Sequence, residues 1–144
     1  MKQVVQNYKT GEVKIREVPV PECVSKRVLV RNRFSLISIG TERSAIELGK
    51  KSLVGKAAAR PDLVRRVWDK AKKEGLVKTW QEAMGRLDIP TPLGYSCAGE
   101  VLECGNAVTE VSPGDGVACV GQGFASHAEI VSIPVNLMTK IPQG

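Results

Sequence analysis

Aromatic side chains make up only 4% of this 144-residue chain. That scarcity argues against a surface that grips nucleic acid by stacking bases on rings. One histidine is present, His127, beside four cysteines, Cys23, Cys97, Cys104 and Cys119. No two cysteines have the close C-x-x-C spacing from which tetrahedral zinc sites are built. A structural zinc is therefore not expected, and the thiols read as free and mostly buried. No run approaches the roughly 18 apolar residues of a membrane span. The opening MKQVVQNYKTGEV lacks the apolar core of a secretion signal. A cytoplasmic protein is expected, with neither membrane nor nucleic acid as partner.

What is present is ordinary for one globular domain. Hydrophobic residues are 42% and charged residues 25% of the chain, and the length suffices to bury a core without staples. The net charge of +6 is unevenly spread. Between Lys50 and Lys78 stand ten Lys/Arg against three Asp/Glu, a local net of +7, and the remainder nets −1. That basic segment reads first as a solvated face with long stems lying over apolar neighbours. A lid or a docking surface for another domain ranks second.

Two textures alternate. Residues 1 to 38 read as β, since EVKIREVPVPE and RVLVRNRFSLIS alternate apolar and polar positions. Residues 42 to 88 read as helical. PDLVRRVWDKAKKEG sets Leu63, Val64, Val67, Trp68 and Ala71 on one stripe, with Pro61 and Asp62 to start it and Gly75 to end it. LVKTWQEAMGRL repeats the stripe, and Thr79 with Glu82 has capping-box spacing. From Gly94 onward short β runs return, broken by Gly, Pro and Asn, with VSPGDGV as a turn in which Asp115 bonds nearby backbone. The expected fold class is mainly β with a helical insertion, α+β.

VACVGQGFAS imitates a dinucleotide fingerprint. Gly121 and Gly123 have the G-x-G spacing, but Ser126 replaces the third glycine and HAEIVSIP reads as a strand. No helix N-terminus would meet a pyrophosphate there. A glycine-rich hairpin is expected, and no cofactor-binding residue is assigned to this chain.

MKQVVQNYKTGEVKIREVPVPE with RVLVRNRFSLISIGTE, then PLGYSCAGEVLECGNAVTEVSPGDGVA, then ASHAEIVSIPVNLMTKIP resemble the N-terminal domain of medium-chain dehydrogenases/reductases. The resemblance spans nearly the whole chain apart from the helical segment. It implies a GroES-like, partly open β-barrel over residues 1–144, with a helical hairpin inserted at about 45–90. In that family the domain works on the substrate side, and a Rossmann domain of the same polypeptide follows and binds NAD or NADP. This chain stops where that domain would begin, so alone it is expected to be inactive. The helical segment resembles bacteriochlorophyllide-type dehydrogenases and oxidoreductases of a two-domain type. The implied substrate is a small alcohol or carbonyl compound, and a homo-oligomer is compatible with the family.

The departures from the pattern bear on the chemistry. Zinc members of the family carry a ligand cysteine where SIGTE has Ile39, and a ligand histidine where GYS has Tyr95, followed by Ser96 in place of a glutamate. No catalytic zinc is therefore expected. Thr41 matches the family hydroxyl that begins a proton relay, and it could instead cap a helix starting near Glu42. Tyr95 could donate a proton to a developing alkoxide, or pack as a core ring. Ser96 and Glu42 are weaker candidates, Glu42 suiting a helix N-terminus through its charge. His127 occupies an aromatic position of the family and reads as a packing ring. The rival reading is a binding or assembly module that kept the barrel and lost the chemistry.

Overall fold

The structure is a computed structural model describing residues 1–142. Eight strands and four helices follow in the order β1 (Lys2–Gln6), β2 (Val13–Glu17), β3 (Arg27–Ser35), α1 (Ile39–Lys50), α2 (Leu53–Ala59), α3 (Pro61–Glu74), α4 (Leu76–Asp88), β4 (Thr91–Pro92), β5 (Ser96–Cys104), β6 (Gly116–Val120), β7 (Ile130–Pro134) and β8 (Met138–Lys140). The chain divides into two compact units. One holds residues 1–5, 15–38 and 92 onward, and the other holds residues 6–14 and 39–91. The expected domain end at Gly144 lies outside the described residues.

The first unit is built on a five-stranded sheet ordered β7-β3-β5-β6-β8, in which each strand runs antiparallel to its neighbours. Its core follows the period of two. Val28 and Val30 of β3, Cys97 and Val101 of β5, Val117 and Cys119 of β6, and Val131 and Ile133 of β7 point to one face and are buried together. Paired β-branched residues on one pleated face account for this stability. Gly99 sits between Cys97 and Val101 on that face, where a Cβ would run into the Arg31 carbonyl oxygen. A short sheet ordered β2-β1-β4 completes the strands.

The β5–β6 turn forms as its sequence predicts. Ser112 donates its backbone N–H to Asp115 Oδ2 at 2.9 Å, and Asp115 N–H donates to the Ser112 carbonyl at 3.1 Å. Gly114 supplies the left-handed φ of 93°. The chain leaves β3 at Leu36, whose N–H donates to the Ser96 carbonyl at 3.0 Å. It therefore re-enters the sheet beside the point where it left.

The second unit contains the helices. α3 starts at Pro61 and stops before Gly75, as the sequence signals predict, and Gly75 takes a φ of 96° that an L side chain resists. That one residue separates α3 from α4. Lys70 of α3 holds Glu82 of α4 at 2.6 Å. This corrects the capping-box expectation: α4 starts at Leu76, so Thr79 lies inside its first turn, buried, with its N–H on the Gly75 carbonyl. The insertion is also richer than one hairpin, since α1 and α2 precede it. Ser52 caps α2 by accepting the Gly55 N–H at 3.2 Å. The apolar stripe of α3 is not a buried one; Ala71 is buried, whereas Leu63, Val64, Val67 and Trp68 are exposed.

Candidate functional site

In the first unit the candidate residues gather at the start of β5. Leu93 and Gly94 lead into Tyr95 and Ser96, and this backbone is tied on both sides. The Tyr95 carbonyl accepts the Gly121 N–H at 2.8 Å, and the Ser96 carbonyl accepts the Leu36 N–H. Tyr95 and Ser96 are half-buried. Ser35, the last residue of β3, faces Cys97 in the register. Its hydroxyl lies 3.5 Å from the Ser96 carbonyl and makes a hydrogen bond with His127 Nδ1.

His127 is fixed from three directions. Its N–H donates to the Leu93 carbonyl at 2.8 Å, and its carbonyl accepts the Val4 N–H at 2.8 Å. Its ring lies over Gly94, where a Cβ would stand 2.9 Å from the imidazole Cγ and 2.7 Å from the His127 nitrogen. Gly94 also has a φ of 95°, so the site demands glycine for both space and backbone geometry. The packing expected of His127 is present, with a polar bond that sequence reasoning missed. No local signal announces it, because Ser35 and His127 are 92 residues apart.

The surroundings are apolar and open. Phe34, Leu36 and Ile37 at the end of β3 and Val120 at the end of β6 are exposed. Val120 pairs with Ser96, and Phe34 pairs with Ala98. One hydroxyl, Ser35, and one imidazole, His127, beside exposed apolar side chains suit a small molecule that needs orienting.

Thr41 and Glu42 lie in the second unit. Helix α1 begins at Ile39, so Thr41 is its third residue and does not stand before it as a cap. Only residues 36–38 are loop between β3 and α1. Thr41 is exposed, and Glu42 is buried in the first turn, where its charge suits the helix N-terminus. Ser44 returns its hydroxyl to the Gly40 carbonyl at 2.8 Å, and Arg43 pairs with Glu47 at 2.7 Å.

The zinc pattern finds a poor donor set. Ile39 offers no donor atom, Tyr95 offers a phenol, and among the described residues no three His, Cys, Asp or Glu gather as metal ligands. These residues do not fit a catalytic zinc. The G-x-G stretch is a turn, with Gly121 at φ 121° and Gly123 at φ 82°, and it leads on to β7 instead of a helix. Behind the site, Cys97 and Cys119 face each other across β5 and β6, both buried. The neighbouring Cys97 thiol together with burial pushes the Cys119 thiol up and leaves Cys97 the lower of the pair.

The family model of the alcohol dehydrogenase GroES-like domain matches residues 71–143. The chain belongs to that family, within the medium-chain dehydrogenases/reductases. Among solved structures, it is similar to galactitol-1-phosphate dehydrogenase from Escherichia coli, with a TM-score of 0.65 and 18% identity, over 99% of this chain and 38% of that one. The quinone oxidoreductase of the same organism, complexed with NADPH, gives a TM-score of 0.65 at 12% identity, over 99% of this chain and 33% of that one. A quinone oxidoreductase from Coxiella burnetii gives 0.61 at 19%, over 99% and 37%. At such identities the likeness is one of fold. The chain spans little more than a third of the length of these relatives. No curated protein matches it. Among the described residues, no helix is long and apolar enough to cross a membrane.

Proposed function

We propose that residues 1–144 are the substrate-side domain of a zinc-independent, NAD(P)-dependent oxidoreductase acting on a small alcohol or carbonyl compound. The observation that supports this reading is the hydrogen-bonded Ser35–His127 pair beside the backbone of Tyr95 and Ser96, in a chain of the alcohol dehydrogenase GroES-like family that carries Ile39 and Tyr95 at the positions the sequence resemblance implies for metal ligands. The nicotinamide cofactor would supply the hydride, and a Rossmann domain later in the same polypeptide would hold it. This domain's own task is to orient the substrate oxygen and handle its proton. Tyr95 would donate to an oxygen gaining negative charge and Ser96 would position it; Thr41 and Glu42 are the candidates of the second unit. The subgroup resembling bacteriochlorophyllide-type and two-domain-type oxidoreductases is part of the same proposal.

The test uses the longer polypeptide. A strand, G-x-G-x-x-G and a helix should follow Gly144. The purified protein should oxidise NADH or NADPH with a carbonyl or quinone panel, undiminished by a chelator. Tyr95→Phe should lower kcat by about 10²-fold or more without unfolding. The 144-residue chain alone should neither turn over nor bind NADPH in a fluorescence titration. Tight NADPH binding by this chain would overturn the assignment of domains. Activity abolished by Tyr95→Phe or Thr41→Ala without unfolding would reject the rival reading of a binding or assembly module.

A further inference from the structure

Helices α3 and α4 hold an apolar surface that their own unit leaves open. Trp68 is 57% exposed, Trp80 56% and Val77 73%, and Val64, Val67 and Leu76 are exposed with them. An amphipathic helix ordinarily buries such a stripe. Here the stripe stays in water while Ala71 and Thr79 take the buried positions between the helices.

The charge around the stripe is net positive, seven Lys/Arg against five Asp/Glu on α3 and α4, and more strongly so in the segment that leads into them. The ten cations and three acids between Lys50 and Lys78 leave +7 in a chain whose remainder nets −1. Some of these cations are already paired: Arg60 with Asp62, and Lys70 and Lys78 with Glu74 and Glu82. Arg65, Arg66, Lys72 and Lys73 of α3 enter no ion pair among the described residues. Lys72 carries its ammonium 5.8 Å from the centre of the Trp68 ring. An ammonium drawn up beside an indole suits a boundary where the ring enters an apolar phase and the charge stays wet.

We propose that this face docks on an anionic lipid surface. Complementary charge would bring it there, and the exposed tryptophans and valines would hold it by entering the headgroup boundary. The sequence alone favoured a solvated basic face with no membrane partner; what changes that reading is the exposure of the apolar stripe. Nucleic acid would answer the charge equally well. It would leave Val64, Val67 and Val77 against a phosphate backbone, where their burial gains little.

The chain contains just two tryptophans, one on α3 and one on α4, and both are exposed. Their emission therefore reports on these two helices without interference. The 144-residue chain and the longer polypeptide would each be mixed with vesicles of phosphatidylcholine alone or with an equal part of phosphatidylglycerol. Both proteins should co-sediment with the anionic vesicles about tenfold or more better than with the neutral ones, and lose the difference at high salt. Tryptophan emission should shift to the blue on binding. The doubly charge-reversed variant Arg65→Glu/Lys72→Glu, checked for helicity by circular dichroism, should lose the binding. Failure to bind anionic vesicles, or unchanged binding by the reversed variant, would overturn the proposal. So would a concentration-dependent dimer with shielded tryptophans, which would assign the face to a second copy. Binding by the short chain but not by the longer polypeptide would assign it to the polypeptide's own downstream part. None of these readings depends on turnover, so the outcome stands apart from the proposed oxidoreductase activity.

Discussion

The Ser35 hydroxyl and the His127 Nδ1 are hydrogen-bonded across 92 residues of sequence. The bond joins the end of β3 to the segment before β7, at the place where β5 begins with Ser96. Because His127 is the only histidine, its ring nitrogens give single, assignable signals. Ser35→Ala should shift both nitrogen resonances and change the balance of tautomers, which a long-range proton–nitrogen NMR spectrum would show. Stability should fall by no more than about 0.5–1.5 kcal/mol, the usual net worth of one hydrogen bond. Unchanged nitrogen signals would mean that the ring only packs.

Gly94 and Gly123 offer a matched pair of substitutions. Both have positive φ, 95° and 82°. A methyl at Gly123 meets nothing within 4 Å, whereas one at Gly94 meets the His127 backbone and ring within 3 Å. Gly123→Ala should cost about 1–2 kcal/mol, from backbone strain alone. Gly94→Ala adds the displacement of His127 and should cost at least about 1 kcal/mol more. Urea denaturation of the two variants tests this, and equal midpoints would contradict it.

Thiol reactivity should divide the four cysteines. Cys97 and Cys119 are buried free thiols that face each other across β5 and β6, and the Cys119 thiol is held protonated. Burial also pushes the Cys23 and Cys104 thiols up, although these two are only half-buried. Because the thiolate is the reacting form, native protein at neutral pH should react slowly with a disulfide reagent. Cys23 and Cys104 should react first, and all four should react at once in denaturant. Rapid native labelling of Cys119 would show the β5–β6 pair to be open.

Asp88 gives the second unit an acid limit. Asn7 and Lys9 donate to its carboxylate at 2.9 Å each and hold its pKa below the usual 3.8. A carboxyl whose pKa is lower in the folded state stabilises fully above pH 3.8, and that contribution disappears as pH falls through the lowered value. Asp88→Asn should therefore flatten the acid limb of a melting-temperature profile and leave its slope near neutrality unchanged. A parallel acid limb in the variant would count against this role.

The sequence disclosed best what depends on neighbours along the chain. Alternation in RVLVRNRFS and SCAGEVLEC marks β3 and β5, and Pro61 and Gly75 bound α3 to the residue. The misses have a different origin. Thr79 and Glu82 have the spacing of a cap, but α4 starts three residues earlier because the φ of Gly75 lets α3 stop and α4 start at once. The sequence suggests a helix that starts near Glu42 with Thr41 as its cap, and α1 starts at Ile39. Periodicity showed that α3 has an apolar stripe; whether anything covers a stripe is decided by the rest of the fold. The Ser35–His127 bond depends on the register of three strands, which no local pattern encodes.

The hydrogen bond from Leu36 to the Ser96 carbonyl has an evolutionary consequence. The exit from β3 and the entry to β5 are neighbours, so whatever the chain builds between them need only begin and end at one point. Loop closure costs little more for a long excursion than for a short one. The helices between them can thus lengthen, shrink or be exchanged over generations while the pairing of Ser35 with Cys97 stays as it is. A lineage could change what this domain meets on its outside without renegotiating the sheet.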